Sequence, residues 1–252
     1  MRERPLAWRV EDCCHNAWPA LRQAMFGDWL LRFAGGVTRR ANSANPLRPV
    51  LQDIDASIAA AERLYGAQCL PTLFRIPAII DPAMDASLDR LGYTMEGETV
   101  TLCGDLSAIA ARLDPDVEAQ AQPSADWLAA MARLQGHTPD RALSYRRIVE
   151  SIAIPALFCG LRQDGQYVAL ALGAAHDGLL CFESVITDAA RRGRGHGRRV
   201  LGTILAWGAR SGAETACLQV QADNAPALKL YRGLGLTTEL YRYHYRRAPP
   251  VR

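Results

Sequence analysis

Apolar positions along the chain switch repeatedly between helical spacing and strict alternation, and Gly, Pro or Asp-Gly punctuates each switch. In the first half the pattern predicts a helix over Cys13–Met25. Trp29–Ala34 and Val37–Asn42 flank Gly35-Gly36 and read as a β-hairpin. Ile54, Ile58, Ala61 and Leu64 at helical spacing predict a helix from Asp53, with Gly66 as its stop. Leu70–Pro77 reads as a strand. Asp81-Pro82 opens a helix that runs to Leu91 and stops at Gly92, and a strand over Tyr93–Cys103 follows. Residues 113–125 are poor in apolar side chains, contain Pro115 and Pro123, and read as a linker.

The second half predicts helices over Asp126–Gln135 and Asp140–Ile152. Three strands follow, Ala156–Arg162, Gln166–His176 and Leu179–Thr187, joined at Asp164-Gly165 and Asp177-Gly178 as an antiparallel meander. A helix over Gly197–Arg210 comes next, with Val200, Leu201, Ile204, Leu205 and Ala209 on one face. Thr215–Gln221 is a strand, Asn224 caps a helix running to Leu234, and Leu236–Tyr245 is the last strand. The expected division is 1–112, a linker at 113–123, a second domain at 124–246 and a loose basic tail at 247–252.

Composition narrows the classes. Lys plus Arg is 29 against 26 Asp plus Glu, a net charge of +3, which gives no support to a nucleic-acid-binding protein. The uncharged apolar stretch Tyr167–Ala175 is far short of the ~20 residues of a membrane helix. The start of the chain lacks an apolar signal region. Seven cysteines, an odd number with no CxxC pair, suggest neither a disulfide framework nor a zinc site. They read as small core residues in a reducing, cytoplasmic setting, with no metal expected.

A shift of 143 residues aligns Asp81 with Asn224, Leu91-Gly92 with Leu234-Gly235, Thr94 with Thr237 and Glu96 with Glu239. Each copy is a capped helix, a Leu-Gly stop and a strand, although Leu-Gly at a helix end is also a generic C-cap. Tyr231 falls on Leu88, and nothing near Gln52 matches the glycine-rich turn at Gly195.

That turn is the main chemical signal. Arg191-Arg-Gly-Arg-Gly-His-Gly-Arg-Arg199 lies between a strand and a helix start. Backbone N–H groups and the helix dipole converge there, glycines let a ligand approach the backbone, and five arginines surround it. This suits a phosphate or pyrophosphate. The turn is neither a Walker A loop nor GxGxxG, since position 198 is Arg198.

Arg192-Gly-Arg-Gly195-His-Gly197 resembles the R/Q-x-x-G-x-G/A loop of the GNAT superfamily of acyl-CoA N-acyltransferases. Asn224-Ala-Pro-Ala-Leu-Lys-Leu-Tyr231-Arg-Gly-Leu-Gly235-Leu resembles that family's N-x-x-A-x-x-x-Y-x-x-x-G-F segment. The resemblance covers roughly residues 120–245, and the first half is similar to the degenerate halves of tandem GNAT proteins. It implies an α/β fold of the α+β type with a mixed, largely antiparallel central sheet, preceded by a partial GNAT-like N-terminal domain. It also implies acetyl-CoA as cosubstrate. Backbone at Val185, Ile186 and Thr187 would hold the pantetheine arm. Arg192, Gly193, Arg194, Gly195, His196, Gly197 and Arg198 would hold the pyrophosphate, and Asn224 would add a contact. Tyr231 would lie near the thioester sulfur as general acid.

The attacking amine must be neutral, and an alkylamine of pKa ~10.4 is almost wholly protonated at pH 7, so a base is needed. Glu183, a carboxylate in the apolar run Cys181–Val185, is the candidate, and the period of two puts Glu183, Val185 and Thr187 on one face. A solvent-facing or salt-bridged glutamate is the plain alternative. One common base position of the family is held by Gln219, which cannot act as a base. His176 and His196 are weaker options. Trp29, Arg32, Arg39, Arg40, Asn42 and Asn45 form either an acceptor site or a domain interface. Tyr241, Tyr243 and Tyr245 read as packing. The expected acceptor is a small-molecule or peptide amine, with a non-catalytic acyl-CoA sensor as the other class, and the expected state is monomer or homodimer.

Overall fold

The computed structural model describes residues 4–250. The elements in chain order are α1 (Leu6–Ala17), β1 (Arg22–Phe26), β2 (Trp29–Phe33), β3 (Ala44–Pro46), α2 (Ile54–Gly66), β4 (Leu73–Pro77), α3 (Ala83–Arg90) and β5 (Thr94–Asp105). Then come β6 (Val117–Gln120), α4 (Ala125–Gln135), α5 (Pro139–Glu150), β7 (Ala156–Gln163), β8 (Gln166–His176) and β9 (Leu179–Thr187). The chain ends with α6 (His196–Arg210), β10 (Thr215–Gln221), α7 (Ala225–Gly233) and β11 (Thr238–Arg247). Among the described residues no helix is long and apolar enough to cross a membrane.

The chain folds as two mixed α/β units with mostly antiparallel strands, divided differently from the expected boundary. The first unit takes the chain up to Pro19, Leu102–Val220 and Asn224–Leu240. The second takes Ala20–Thr101, Gln221–Asp223 and the chain from Tyr241. Helix α1 therefore belongs with the C-terminal half, because its apolar face, Trp8, Val10, Cys13, Cys14 and Ala17, is buried there. The expected linker carries edge strand β6, paired antiparallel with β7, and Pro115 and Pro123 lie outside the strand. Arg247 of the expected tail lies in β11; positions 251 and 252 lie outside the described residues.

In the first unit the strand order is β10-β9-β8-β7-β6. Hairpins β7–β8 and β8–β9 turn on Asp164-Gly165 and Asp177-Gly178. All four residues have positive φ, the backbone of a two-residue type I′ turn. Helix α6 buries Val200, Leu201, Ile204 and Leu205. It lies close to the sheet because Gly173 and Gly208 have no Cβ: one on Gly173 would sit 2.2 Å from Ile204 Cγ2, and one on Gly208 2.5 Å from Leu180 Cδ2. Helices α4 and α5 are capped by Ser124 and Thr138, whose side chains accept from Trp127 N and Arg141 N.

In the second unit the order is β1-β2-β3-β4-β11. The hairpin is β1–β2 around Gly27-Asp28, not the expected pair around Gly35-Gly36. The reason is local: Asn42 Oδ1 accepts from Ala34 N at 2.7 Å and from Gly36 N at 2.8 Å, which replaces the strand pairing. The expected helix over Cys13–Met25 lies earlier, at Leu6–Ala17, because Pro19 bars helical backbone at Trp18. Trp29, Arg32, Asn42 and Asn45 are buried within this unit, whereas Arg39 and Arg40 are half-buried. Tyr241, Tyr243 and Tyr245 are buried, with the rings of Tyr243 and Tyr245 packed edge to face.

Candidate active site

Strands β9 and β10 run parallel, and their register extends from Leu179–Thr215 to Cys181–Cys217 and stops there. Strand β9 continues for six more residues, of which Ser184–Thr187 are half-buried, whereas Leu179–Glu183 are buried. The sheet therefore opens on one side of β9 beside Glu183, Val185, Ile186 and Thr187, leaving backbone groups that a ladder would otherwise use.

A β-bulge sits at this opening. Leu172 pairs with Glu183 and Leu170 with Ile186, so β9 holds one residue more than β8 over that stretch. Ser184 takes up the extra residue at φ 53°. Cross-strand partners share a face, so Glu183 and Ile186 lie on one face and Thr187, opposite Ala169, on the other. This corrects the expectation from the period of two, which placed Glu183, Val185 and Thr187 together. The Glu183 face is covered by α1, since Cys181 Sγ, two residues before Glu183, lies 3.7 Å from Cys14 Sγ. The Thr187 face is covered by α6, whose Gly197 lies against Thr187 Oγ1.

Beyond β9, Asp188 caps a short turn at Ala189–Arg191, and the glycine-rich segment leads into α6. Gly193 and Gly195 adopt φ 76° and 79°, and a Cβ on either would meet nothing within 4 Å. Gly195 is the N-cap of α6 and supplies no side-chain cap, unlike the N-cap residues of α4, α5 and α7. The first N–H groups of α6 have no partner within the helix, and the helix dipole places partial positive charge there. This turn suits an anion with several oxygens.

The five arginines divide. Arg199 is held by Asp114 at 2.6 and 2.8 Å and by Asp116 at 2.5 Å, and Arg191 by Gln163 and Asp164, so these two fasten the loop to the rest of the unit. Arg198 Nη2 donates to Gly233 O at 2.9 Å and ties α6 to α7, and Arg192 Nε donates to Thr187 O at 3.4 Å. Arg194 is exposed on the loop. His196 is buried beneath the turn. Burial and then the charges of Arg199, Arg194 and Arg191 lower its pKa, which keeps the imidazole neutral.

Asn224 Oδ1 accepts from Ala227 N at 3.2 Å and starts α7, which carries Tyr231. Tyr231 is 7% exposed. Burial, and after it the Glu183 carboxylate, hold its phenol above the ordinary tyrosine value. In Tyr145 of α5 burial also raises the pKa, and the Glu183 carboxylate adds to the rise. Glu183, 4% exposed, thus sits within electrostatic reach of two protonated phenols.

Glu11 of α1 was not evident from the pattern. It is 2% exposed, accepts from Gln219 Nε2 at 3.3 Å, and lies 3.7 Å from His15 Nε2. Its signal was a carboxylate three residues from Trp8 and three from Cys14 within an apolar helical stripe. The structure thus brings Glu183, Tyr231 and the glycine turn into one unit, with Glu11 and Gln219 on the elements that border the opening.

The chain resembles known proteins along nearly its whole length. A family model described as "Probable histone acetyltransferase Rv0428c C-terminal" matches residues 8–246. The "Uncharacterized N-acetyltransferase YobR" of Bacillus subtilis (strain 168) is 27% identical over 242 residues, covering 94% of this chain and 97% of that protein. Among solved structures, a GCN5-related N-acetyltransferase from Kribbella flavida superposes with a TM-score of 0.74 at 17% identity, covering 99% of this chain and 98% of that one. A tandem GNAT protein from the clavulanic acid biosynthesis pathway superposes with a TM-score of 0.65 at 12% identity, covering 83% and 76%. An open mixed sheet with a bulged central strand, a glycine turn at a helix start and a family match across both units agree: the chain is an acyltransferase of the GNAT N-acetyltransferase family.

Proposed function

We propose that the first unit transfers an acetyl group from acetyl-CoA to an amine by direct attack, with Glu183 as general base and Tyr231 as general acid. The observation that carries this is the end of β9–β10 pairing at Cys181–Cys217, beside an α6 N-terminus whose cap is a glycine. Acetyl-CoA supplies an acetyl group activated as a thioester. The N–H groups of residues 193–198 bind its pyrophosphate, with Arg192, Arg194 and Arg198 adding charge around them. Backbone at Val185, Ile186 and Thr187 pairs with the pantetheine arm as an added strand would. Asn224 acts through the cap that sets α7.

Glu183 accepts the proton that the amine must lose. Tyr231 keeps its phenolic proton at neutral pH because burial and Glu183 oppose its ionisation, so it remains a donor toward the departing sulfur. An N–H of the bulged stretch of β9 donates to the acetyl oxygen as charge develops.

The acceptor is a small-molecule or peptide amine. The description of the matching family names a histone acetyltransferase, which favours including lysine peptides. The second unit has the outline of a degenerate GNAT domain: α3 and β5 repeat the order of α7 and β11, without a glycine turn. Neither nucleic acid nor membrane is required by this reading, and a reducing cytoplasm suits its thiols.

The test is acetyl-CoA turnover against small amines and histone peptides, with Glu183→Gln and Tyr231→Phe beside the parent. Each change should lower kcat on the order of 10²-fold or more while CoA still binds. Full turnover in Glu183→Gln would remove Glu183 from the mechanism. Failure of the parent to bind CoA would remove the whole reading.

A further inference from the structure

Three thiols from three separate elements converge where β9 and β10 part. Cys14 of α1, Cys181 of β9 and Cys217 of β10 are all buried, and their sulfurs lie within 4.8 Å of one another. Cys14 Sγ and Cys181 Sγ are 3.7 Å apart. Cys181 and Cys217 are the last register partners before the pairing stops. Cys13, next on α1, is also fully buried.

Isolated buried cysteines pack as small apolar residues, and that was the expectation for this chain. A convergence of this kind is a different arrangement. A tetrahedral zinc site with Zn–S of about 2.3 Å sets neighbouring sulfurs about 3.8 Å apart. The Cys14–Cys181 pair already has that spacing. The other pairs, all within 4.8 Å, reach it by closing about 1 Å or less. A disulfide would use two sulfurs and leave the third thiol beside it, whereas a metal ion uses all three. The spacing of 14, 181 and 217 along the chain resembles no zinc motif, because the ligands are assembled by the fold.

We propose that Cys14, Cys181 and Cys217 form a thiolate site for a single Zn²⁺. Each coordinating thiol releases its proton to solvent and no electron changes hands. A divalent ion is the better fit than a monovalent one, because three thiolates around it leave less uncompensated charge in a buried place. The ion ties α1 to both strands at the closed end of the opening. It thereby sets the separation of Glu183 and Gln219, each two residues beyond a ligand. Its role is positional, and it stands apart from the acetyl-transfer reading above.

The full chain, produced with added Zn²⁺ and purified under reductant without chelator, should hold close to one zinc per chain by elemental mass spectrometry. Cys14→Ala and Cys217→Ala should lose it, and Cys69→Ala, at an exposed position, should keep it. Metal-stripped parent titrated with Co²⁺ should develop thiolate-to-metal charge-transfer and tetrahedral ligand-field bands that equimolar Zn²⁺ removes. That titration needs no variant, so the proposal stays testable if a cysteine change prevents folding. Zinc below about a tenth per chain together with no cobalt bands in folded, reduced parent would overturn the site. Full zinc retention in Cys217→Ala would overturn it equally.

Discussion

Gly195→Ala separates the stability of the glycine turn from its ligand chemistry. Gly195 has φ 79° and open space on its Cβ side, so alanine meets no steric clash. It pays instead for left-handed backbone, about 1–2 kcal/mol. Part of this is offset by the smaller entropy of the unfolded chain, about 0.4–1 kcal/mol. The net loss is about 1 kcal/mol, or roughly 2–4 °C in Tm for a protein of this size. Gly136, the C-cap of α4, has φ 63° and equally open surroundings, far along the chain from the turn. Gly136→Ala should therefore lose the same stability. The two variants part in ligand binding. The Cβ at 195 intrudes where a pyrophosphate would approach the α6 amides, and each charge-assisted hydrogen bond lost is about 1.5–3 kcal/mol. One such bond weakens CoA binding by about 10- to 150-fold, since 1.4 kcal/mol is tenfold. Titration calorimetry with CoA and thermal melts on both variants make the comparison. CoA affinity within twofold of the parent in Gly195→Ala, or an equal loss in Gly136→Ala, would refute the assignment of the turn.

Three further outcomes follow from the packing and the charges. Gly173→Ala puts a methyl 2.2 Å from Ile204 Cγ2 and should destabilise by about 1–3 kcal/mol in urea melts. Ile204→Leu, which removes that branch, should couple favourably with it in a double-mutant cycle. Asn224→Ala should lower stability by about 1 kcal/mol through loss of the α7 cap, and an unchanged Tm would show that the cap is idle. Asp85 has a depressed pKa, first from its hydrogen bonds with Arg246 and then from His244, against the opposing effect of burial. A depressed carboxylate contributes stability above its unfolded pKa of about 3.9 and loses it as pH falls through the folded value. The parent should therefore lose stability below about pH 4 more steeply than Asp85→Asn, as read from urea midpoints against pH.

Strands β8, β9 and β10 begin and end where the alternation predicts, and Asp-Gly turns with two positive φ values start both hairpins that flank β8. The glycine turn and the Asn224 cap were legible for the same reason, since each is a local backbone need met by one residue type. Three features were not. Ser184 in left-handed backbone has no local signature, and that one residue decides which face Glu183 shares. Asn42 displaces a hairpin through side-chain bonds that a hydrophobic pattern does not register. The placement of α1, and with it Glu11 and the cysteine cluster, depends on partners more than 160 residues away. Periodicity marks the buried stripe of α1 but not what covers it.

The distance along the chain between α1 and its sheet has a consequence for biosynthesis. Cys14 and Cys181 are separated by 167 residues. At about 5–20 residues per second, α1 leaves the ribosome roughly 8–30 s before the strand it covers. A helix of 12 residues is marginal alone, so its apolar side chains wait without a partner. The second unit waits as well, because β4 pairs with β11 from the far end of the chain. Neither unit can close before β11 has been made. Until then the apolar faces of both units lack their cover, and a loss of β11 would leave both units incomplete.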